Sequence, residues 1–117
     1  MLNLLRFRDE ADYRQSPGLT PEEPITGRQA YQLYIELTRP LLQETGGDLL
    51  LLGEGGSWFI GPESERWDVA MLVRQNSLQD LFAFAQHPEY QGIIGHRTAA
   101  LEDSRLLPLV DLGQGVV

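Results

Sequence analysis

Two stretches of the sequence decide the fold: residues 48–54, DLLLLGE, and residues 67–74, WDVAMLVR. Each is a short apolar run of the length and composition that is typical of a β-strand. Side chains alternate between the two faces of a strand. Here apolar residues occupy both sets of positions, because leucine fills positions 49–52 and positions 69–73 read VAMLV. A sheet with one face in water would alternate apolar and polar residues. These strands therefore predict a sheet that is buried on both faces.

The chain before these strands contains a strand, a loop and a helix. Residues 2–8 form an apolar run that predicts the first strand. Residues 9–25 contain several prolines among acidic residues, which predicts a long loop that serves as a lid, a partner contact or a disordered insertion. Thr26 is a suitable N-cap for a helix with apolar residues at helical spacing, which Gly46 and Gly47 end. Pro40 lies inside this helix and predicts a kink or a restart.

The chain around and after the two strands predicts a hairpin, two helical stretches and a last strand. We expect the strand from residue 48 to continue through a bulge at Gly55 and Gly56 to residue 60. A turn at Gly61-Pro62 then leads into the next strand. Ser77 predicts the start of a helix whose apolar stripe is Leu78, Leu81, Phe82 and Ala85. After an interruption at His87-Pro88, residues 89–101 predict a further helical stretch, residues 105–109 predict the last strand, and a Gly-containing tail follows.

The order strand, helix, strand, strand, helix, strand predicts an α+β fold of the ferredoxin-like βαββαβ type. Right-handed crossovers place both helices on one face of a four-stranded antiparallel sheet. Two helices on one face leave the apolar residues of the other face uncovered. Exposed side chains of this size would forgo about 1.5–3 kcal/mol each in burial. We therefore expect a homodimer in which two sheets pack face to face, as in a dimeric α+β barrel. In the alternative, one strand has a different register and some leucines line a helix interface.

Composition restricts the partners. The chain has 117 residues, which predicts one domain over residues 1–117. Nine basic residues, all arginine, against seventeen acidic residues give a net charge of −8. No basic cluster is present, so we expect neither nucleic acid nor a membrane surface as a partner. The absence of cysteine excludes disulfides, thiol nucleophiles and thiolate zinc sites. The first residues do not resemble a signal peptide, and we expect a cytoplasmic protein.

Six residues are candidates for a small-molecule site. His96 titrates near neutrality and is a candidate catalytic acid or base, and Arg97 can hold an anionic group with two hydrogen bonds. Asp103 could approach the same side of the helix if the helix continued that far. The structural alternative is that Asp103 caps a turn and Arg97 pairs with a carboxylate. Asn3 and Arg6 are polar residues on a predicted central strand, and both could point into a cavity between the sheet and the helices. Tyr31 offers an apolar ring with a polar end, although such residues more often belong to the core.

Other chemistries fit the sequence less well. His87 and His96 are the only histidines and lack the spacing of a metal-binding helix, so we expect no metal. The glycines around Gly55 are followed by neither lysine nor a helix, so they do not form a phosphate loop. Ser104, His96 and Asp103 lack the nucleophile elbow of a catalytic triad. Nothing in the sequence calls for a cofactor.

Several segments together resemble a known family. They are NLLRF at residues 3–7, GRQAYQLY at 27–34, GG at 46–47, WDVAMLV at 67–73, HPEYQ at 87–91 and HRTAALEDSRLL at 96–107. In this order they resemble the bacterial domain of unknown function 1330, within the dimeric α+β barrel superfamily. The resemblance implies a ferredoxin-like protomer that dimerises through its sheet, and each of the six candidate residues lies in a matching segment.

The resemblance leaves the function open, because the superfamily includes cofactor-free monooxygenases, haem-degrading enzymes, lactone isomerases and ligand-sensing modules. One hypothesis is a cofactor-free enzyme that acts on a small carboxylic or aromatic metabolite, with His96 as acid or base and Arg97 orienting an anionic group. The alternative is a non-catalytic ligand-binding or stress-related module that uses the same cleft. A third hypothesis is a structural dimer without a ligand.

Overall fold

The computed structural model describes residues 1–113 as four strands and three α-helices. In chain order they are β1 (Leu2–Phe7), α1 (Gly27–Glu44), β2 (Asp48–Ser57), β3 (Arg66–Arg74), α2 (Leu78–Ala85), α3 (Pro88–Ala100) and β4 (Leu101–Leu107). Residues 114–117, which include part of the predicted Gly-containing tail, lie outside the described residues.

The sheet has the strand order β2-β3-β1-β4, and every neighbouring pair is antiparallel. The fold is thus α+β and ferredoxin-like, as predicted. The second helix of the βαββαβ pattern is divided into α2 and α3. Leu5, Val69 and Met71 belong to the core between the sheet and the helices. The register pairs Asn3 of β1 with Met71 of β3, and Leu5 of β1 with Ser104 of β4.

Helix α1 begins with a capping box. Thr26 Oγ1 accepts from the backbone N–H of Gln29 at 3.0 Å, and the Gln29 side chain accepts from the N–H of Thr26 at 2.9 Å. The helix continues through Pro40 without a restart, and the alternative of a kink at Pro40 stays a prediction. A proline removes only one backbone donor, and the buried residues on both sides of Pro40 keep the helix packed against the core. The chain turns at Gly46, which has a φ of +83°.

Helices α2 and α3 begin where the sequence indicated. Ser77 accepts from the N–H of Asp80 at 3.1 Å, and His87 Nδ1 accepts from the N–H of Glu89 at 3.1 Å. The predicted stripe of α2 is wrong in part, because Leu78 and Phe82 are 65% and 53% exposed whereas Phe84 is buried. The short helix turns a different side toward the core than its apolar residues alone suggest.

Two predicted strand boundaries and the predicted position of a bulge are wrong. Strand β2 ends at Ser57 and does not extend to residue 60. Its irregularity lies between Leu49 and Leu51, whereas the pairing with β3 is regular across the glycines at 55 and 56. Strand β4 starts at Leu101, directly after α3, rather than at residue 105. Leu101 is buried, and an apolar residue at this junction fits a helix end and a strand start equally well.

The sheet face opposite the helices carries a row of leucines. Register pairs Leu107 with Leu2, Leu2 with Leu72, and Leu72 with Leu51, so leucine crosses all four strands. At the two edges, Leu51 is 58% and Leu107 is 54% exposed. The helices cover only the other face of the sheet. Among residues 1–113, nothing therefore covers this leucine row.

The predicted loop at residues 9–25 packs on α3. It contains one short 3-10 turn at Pro17–Leu19. The N–H of Asp12 donates to the carbonyl of Ala99 at 2.9 Å, and Tyr13 is buried. Gly95 of α3 leaves room for the loop, since a Cβ there would lie 2.6 Å from Ser16 Oγ.

Candidate functional site

A cavity of about 330 Å³ lies between the sheet and the helices. Its wall is mainly apolar, with contributions from α1, β3, α2 and α3 that include Ile35, Leu42, Met71, Val73, Phe84 and Ile94. A cavity of this size and character is typical of small-molecule sites, which combine apolar walls with a few polar groups. The polar groups in the wall therefore decide which ligand would fit.

Three buried tyrosines in the wall form a cluster, with Tyr31 and Tyr34 on α1 and Tyr90 on α3. The ring centroids of Tyr31 and Tyr34 are 5.2 Å apart, and those of Tyr34 and Tyr90 are 6.2 Å apart. The hydroxyls of Tyr34 and Tyr90 share a hydrogen bond of 2.9 Å. The Tyr31 hydroxyl is buried beside the Arg97 guanidinium but makes no hydrogen bond of good geometry among residues 1–113. Only one of the three phenolic hydrogens is used within the cluster, which leaves two donors for a ligand.

Arg97 provides a positive charge in the cavity wall. Its Nη2 lies 3.5 Å from Ser104 Oγ, which is a long hydrogen bond. In the described part of the chain it forms no ion pair with a carboxylate, so the expectation that Arg97 pairs with a nearby carboxylate is wrong. Arg39 is the other charged side chain in the wall, and it is exposed and lies 4.0 Å from Asp48 Oδ1. The wall of this acidic protein is thus positive, without an acidic side chain among the described lining residues.

Burial keeps the phenols protonated. It raises the pKa of Tyr31 to about 12, and the nearby Arg97 guanidinium offsets only part of this rise. Burial and the neighbouring Tyr90 also raise the pKa of Tyr34. Both hydroxyls are therefore hydrogen-bond donors at neutral pH. A protonated phenol beside a guanidinium can bind an anionic oxygen.

The structure brings three of the six candidate residues to this cavity, namely Asn3, Tyr31 and Arg97. Asn3 is buried on β1, and its Nδ2 lies 3.4 Å from the carbonyl oxygen of Met71. Its amide group therefore contacts the backbone of β3 at the cavity wall. Tyr31 also packs on Phe7, with ring centroids 5.6 Å apart, so the Tyr31 ring is in contact with the end of β1.

Arg6 and Asp103 lie on the opposite face of the sheet, and the expectation that Arg6 points into the cavity is wrong. Residues three apart on a strand face opposite sides, so Asn3 and Arg6 cannot share one face. Arg6 Nη2 lies 3.5 Å from Asp103 Oδ2, and its guanidinium stacks 5.6 Å from the Trp67 ring centroid. Asp103 also accepts from Arg105 at 2.6 Å, and this hydrogen bond lowers the pKa of its carboxyl. Because α3 ends at Ala100, Asp103 belongs to β4 and does not approach His96 along a helix.

His96 faces the loop at residues 9–25 and does not line the cavity. Its Nδ1 lies 2.8 Å from the Tyr13 hydroxyl, and the two rings meet edge to face. Burial lowers the pKa of the His96 imidazole. Successive residues on a helix point about 100° apart, so Arg97 reaches the cavity while His96 contacts the loop. The catalytic role of His96 stays a prediction, and the cavity geometry lends it no support.

The sequence did not single out two groups of the cavity wall. Tyr34 and Tyr90 fit the apolar pattern of their helices, so residue type alone does not tell a cavity wall from the core. Gln75 follows β3, and its Oε1 is buried without a hydrogen-bond partner among residues 1–113. A tyrosine at both i and i+3 of one helix face is the signal that could have found the cluster. No pattern pointed to Gln75.

Within residues 1–113, no group of three or more potential metal-ligating side chains converges. No helix in that part of the chain has the length and apolar character to cross a membrane.

The fold and the site define a ferredoxin-like domain with a cavity between its sheet and its helices. Comparison with known proteins identifies the family of this domain. The model of a family described as "Domain of unknown function (DUF1330)" matches residues 22–109. The chain belongs to this family, as its sequence segments indicated.

Two solved structures are similar to the chain over most of its length. The chain is similar to the crystal structure of methylated RPA0582 protein, with 32% identity, a TM-score of 0.86, and coverage of 98% of this chain and 81% of that one. It is likewise similar to RPA0582, a protein of unknown function from Rhodopseudomonas palustris, at 32% identity and a TM-score of 0.79, with 94% and 81% of the two chains covered. No curated protein is significantly similar to the chain.

Proposed function

We propose that this protein binds a small organic carboxylate in the cavity between the sheet and the helices. One observation carries the proposal: Arg97 and the Tyr31 hydroxyl, both without a full complement of polar partners among residues 1–113, occur together in an apolar cavity wall. Buried polar groups in proteins nearly always have partners, and the Tyr31 hydroxyl is buried. Arg97 is half-buried, so a ligand oxygen at the Tyr31 hydroxyl would also be within the reach of its charge.

The charges favour a monoanion with an apolar body. Arg97 is the half-buried one of two arginines in the wall, and the other, Arg39, is exposed and lies 4.0 Å from Asp48 Oδ1. A dianion such as a phosphate would bring more negative charge into an apolar site than one guanidinium can compensate. A carboxylate matches the fork of a guanidinium with two parallel hydrogen bonds. The apolar wall then accommodates an aromatic or aliphatic remainder.

Binding without catalysis is the hypothesis that the cavity supports better. The raised pKa of Tyr31 makes this phenol a donor rather than a base at neutral pH. His96, the acid or base of the enzyme hypothesis, contacts Tyr13 instead of the cavity. A cofactor-free enzyme would instead have to use the tyrosine cluster as proton donors, and turnover of a bound acid by the purified protein would support it.

Calorimetric titration with matched ligands tests the proposal. 3-Phenylpropanoate should bind, and the neutral 3-phenylpropanamide should bind much more weakly. Arg97→Met should weaken binding of the acid at least tenfold, since hydrogen bonds to charged groups contribute about 1.5–3 kcal/mol. Arg14→Met is the matched control, because the Arg14 side chain is 89% exposed and pairs with Asp12. Equal binding of acid and amide, or an Arg97→Met variant that binds as well as the wild type, would exclude carboxylate recognition by Arg97.

We further propose that the protein is a homodimer that packs its open sheet faces together. The leucine row across all four strands supports this, because each exposed leucine forgoes about 1.5–3 kcal/mol of burial in a monomer. A second copy presents the same row, which is the simplest cover under twofold symmetry. A cytoplasmic location stays a prediction from the sequence.

A further inference from the structure

We propose that the ligand has two ends, a carboxylate at Arg97 and a neutral hydroxyl group that donates a hydrogen bond to Gln75 at the other end of the cavity. This inference rests on the proposed function, because it describes the ligand of the same site. It starts from Gln75 Oε1, which is buried, lines the cavity and has no hydrogen-bond partner among residues 1–113. Leaving a buried acceptor unpaired is costly, so a donor is expected from the ligand.

The two polar ends lie at different levels along the sheet. Arg97 is next to Ser104, which pairs with Leu5, and Leu5 pairs with Val69 on β3. Gln75 comes six residues after Val69, just past the end of β3. With a rise of about 3.3 Å per residue, the Cα atoms of Val69 and Gln75 are separated by roughly 20 Å along the strand direction. The side chains of Arg97 and Gln75 span part of this distance. The ligand must therefore be extended.

The wall between the two ends is apolar. Met71 and Val73 cover the sheet side, and Leu42 and Phe84 cover the helix side. A ligand that joins a carboxylate to a distant hydroxyl through an aromatic ring or an alkyl chain matches this sequence of polar, apolar and polar surfaces. ω-Hydroxy acids and hydroxyphenyl acids belong to this class.

The charges near Gln75 favour a neutral donor. Arg39 also lines the cavity, so an ammonium group on the ligand would meet a positive charge. A second carboxylate has no hydrogen to donate to the Gln75 oxygen. A hydroxyl group satisfies the acceptor without adding charge.

Titration calorimetry with pairs of acids that differ only in the terminal hydroxyl tests the inference. The pairs are 3-phenylpropanoate with 3-(4-hydroxyphenyl)propanoate, and octanoate with 8-hydroxyoctanoate. In the wild type the hydroxyl should tighten binding about three- to tenfold, as one neutral hydrogen bond does. Gln75→Leu should abolish this gain, so that the two acids of each pair bind this variant with equal affinity. Gln79→Leu, an exposed residue of α2, is the matched control and should keep the gain.

The outcomes separate the two proposals. If plain and hydroxylated acids bind equally well, and Gln75→Leu changes neither, the two-ended ligand is wrong while carboxylate binding stands. If octanedioate binds more tightly than 8-hydroxyoctanoate, the second end is an anion site and the neutral donor is wrong. If none of the acids binds, the proposed function fails, and the inference that rests on it fails as well.

Discussion

Removing one oxygen from Tyr31 should stabilise the free protein and weaken its ligand binding. The Tyr31 hydroxyl is buried without a hydrogen-bond partner among residues 1–113. An unpaired buried hydroxyl costs about 1–3 kcal/mol. Because the cavity can admit water near this group, we expect the lower end, and Tyr31→Phe should raise the free energy of unfolding by about 1 kcal/mol. In a domain of this size that corresponds to a rise of about 4 °C in Tm.

Tyr34→Phe is the matched comparison, because it removes the same atom one turn along the same helix. The Tyr34 hydroxyl is hydrogen-bonded to Tyr90 at 2.9 Å. Its loss leaves the Tyr90 hydroxyl unpaired, and the free energy of unfolding should fall by about 1–2 kcal/mol. Urea denaturation followed by circular dichroism measures both changes. If Tyr31→Phe destabilises the protein as much as Tyr34→Phe does, the Tyr31 hydroxyl is paired and the reasoning about the site is refuted.

The remaining predictions concern the loop, pH and assembly. Gly95→Ala should destabilise the protein by about 1–2 kcal/mol because the new Cβ would lie 2.6 Å from Ser16 Oγ, whereas Gly92→Ala, with nothing within 4 Å, should stabilise it by up to about 1 kcal/mol. Equal gains in urea denaturation would contradict packing of the loop on α3. Burial raises the pKa values of Tyr31 and Tyr34, so above pH 10 the unfolded chain loses these protons first and stability should fall as pH rises from 10 toward 12. A urea midpoint that is the same at pH 9 and pH 11 would count against their burial. Leu4→Glu on the open sheet face should convert a dimer to a monomer in light scattering coupled to gel filtration, whereas Leu78→Glu, on exposed α2, should not. A Leu4→Glu dimer would place the interface elsewhere.

Hydrophobic periodicity was sufficient to predict the order of the elements. The caps at Thr26 and Ser77 and the break at His87-Pro88 set the helix starts correctly, because these signals are local. The strand ends were harder to predict. Residues 58–60 are as apolar as the strand before them, yet they lie past the last pairing of β2 with β3. Pairing depends on the neighbouring strand, which a local pattern does not contain.

The candidate site was predicted only in part, for a similar reason. Residue type singled out Asn3, Tyr31 and Arg97, which do meet at the cavity. Alternation along β1 already separates Asn3 from Arg6, and this geometric rule would have corrected the expectation from sequence alone. Gln75 follows the end of β3, where the alternation of the strand no longer applies, so no local pattern could reveal its position. The direction of His96 depends on the contact of Tyr13 with α3, which joins residues far apart in the chain.

A crystal structure of the protein with bound 3-phenylpropanoate would show whether Arg97 and Tyr31 hold a carboxylate. The ligand carboxylate should lie within hydrogen-bond distance of the Arg97 guanidinium and the Tyr31 hydroxyl, with the phenyl ring between the sheet and the helices. A carboxylate bound to Arg39 alone, or to the arginines on the opposite face of the sheet, would contradict it.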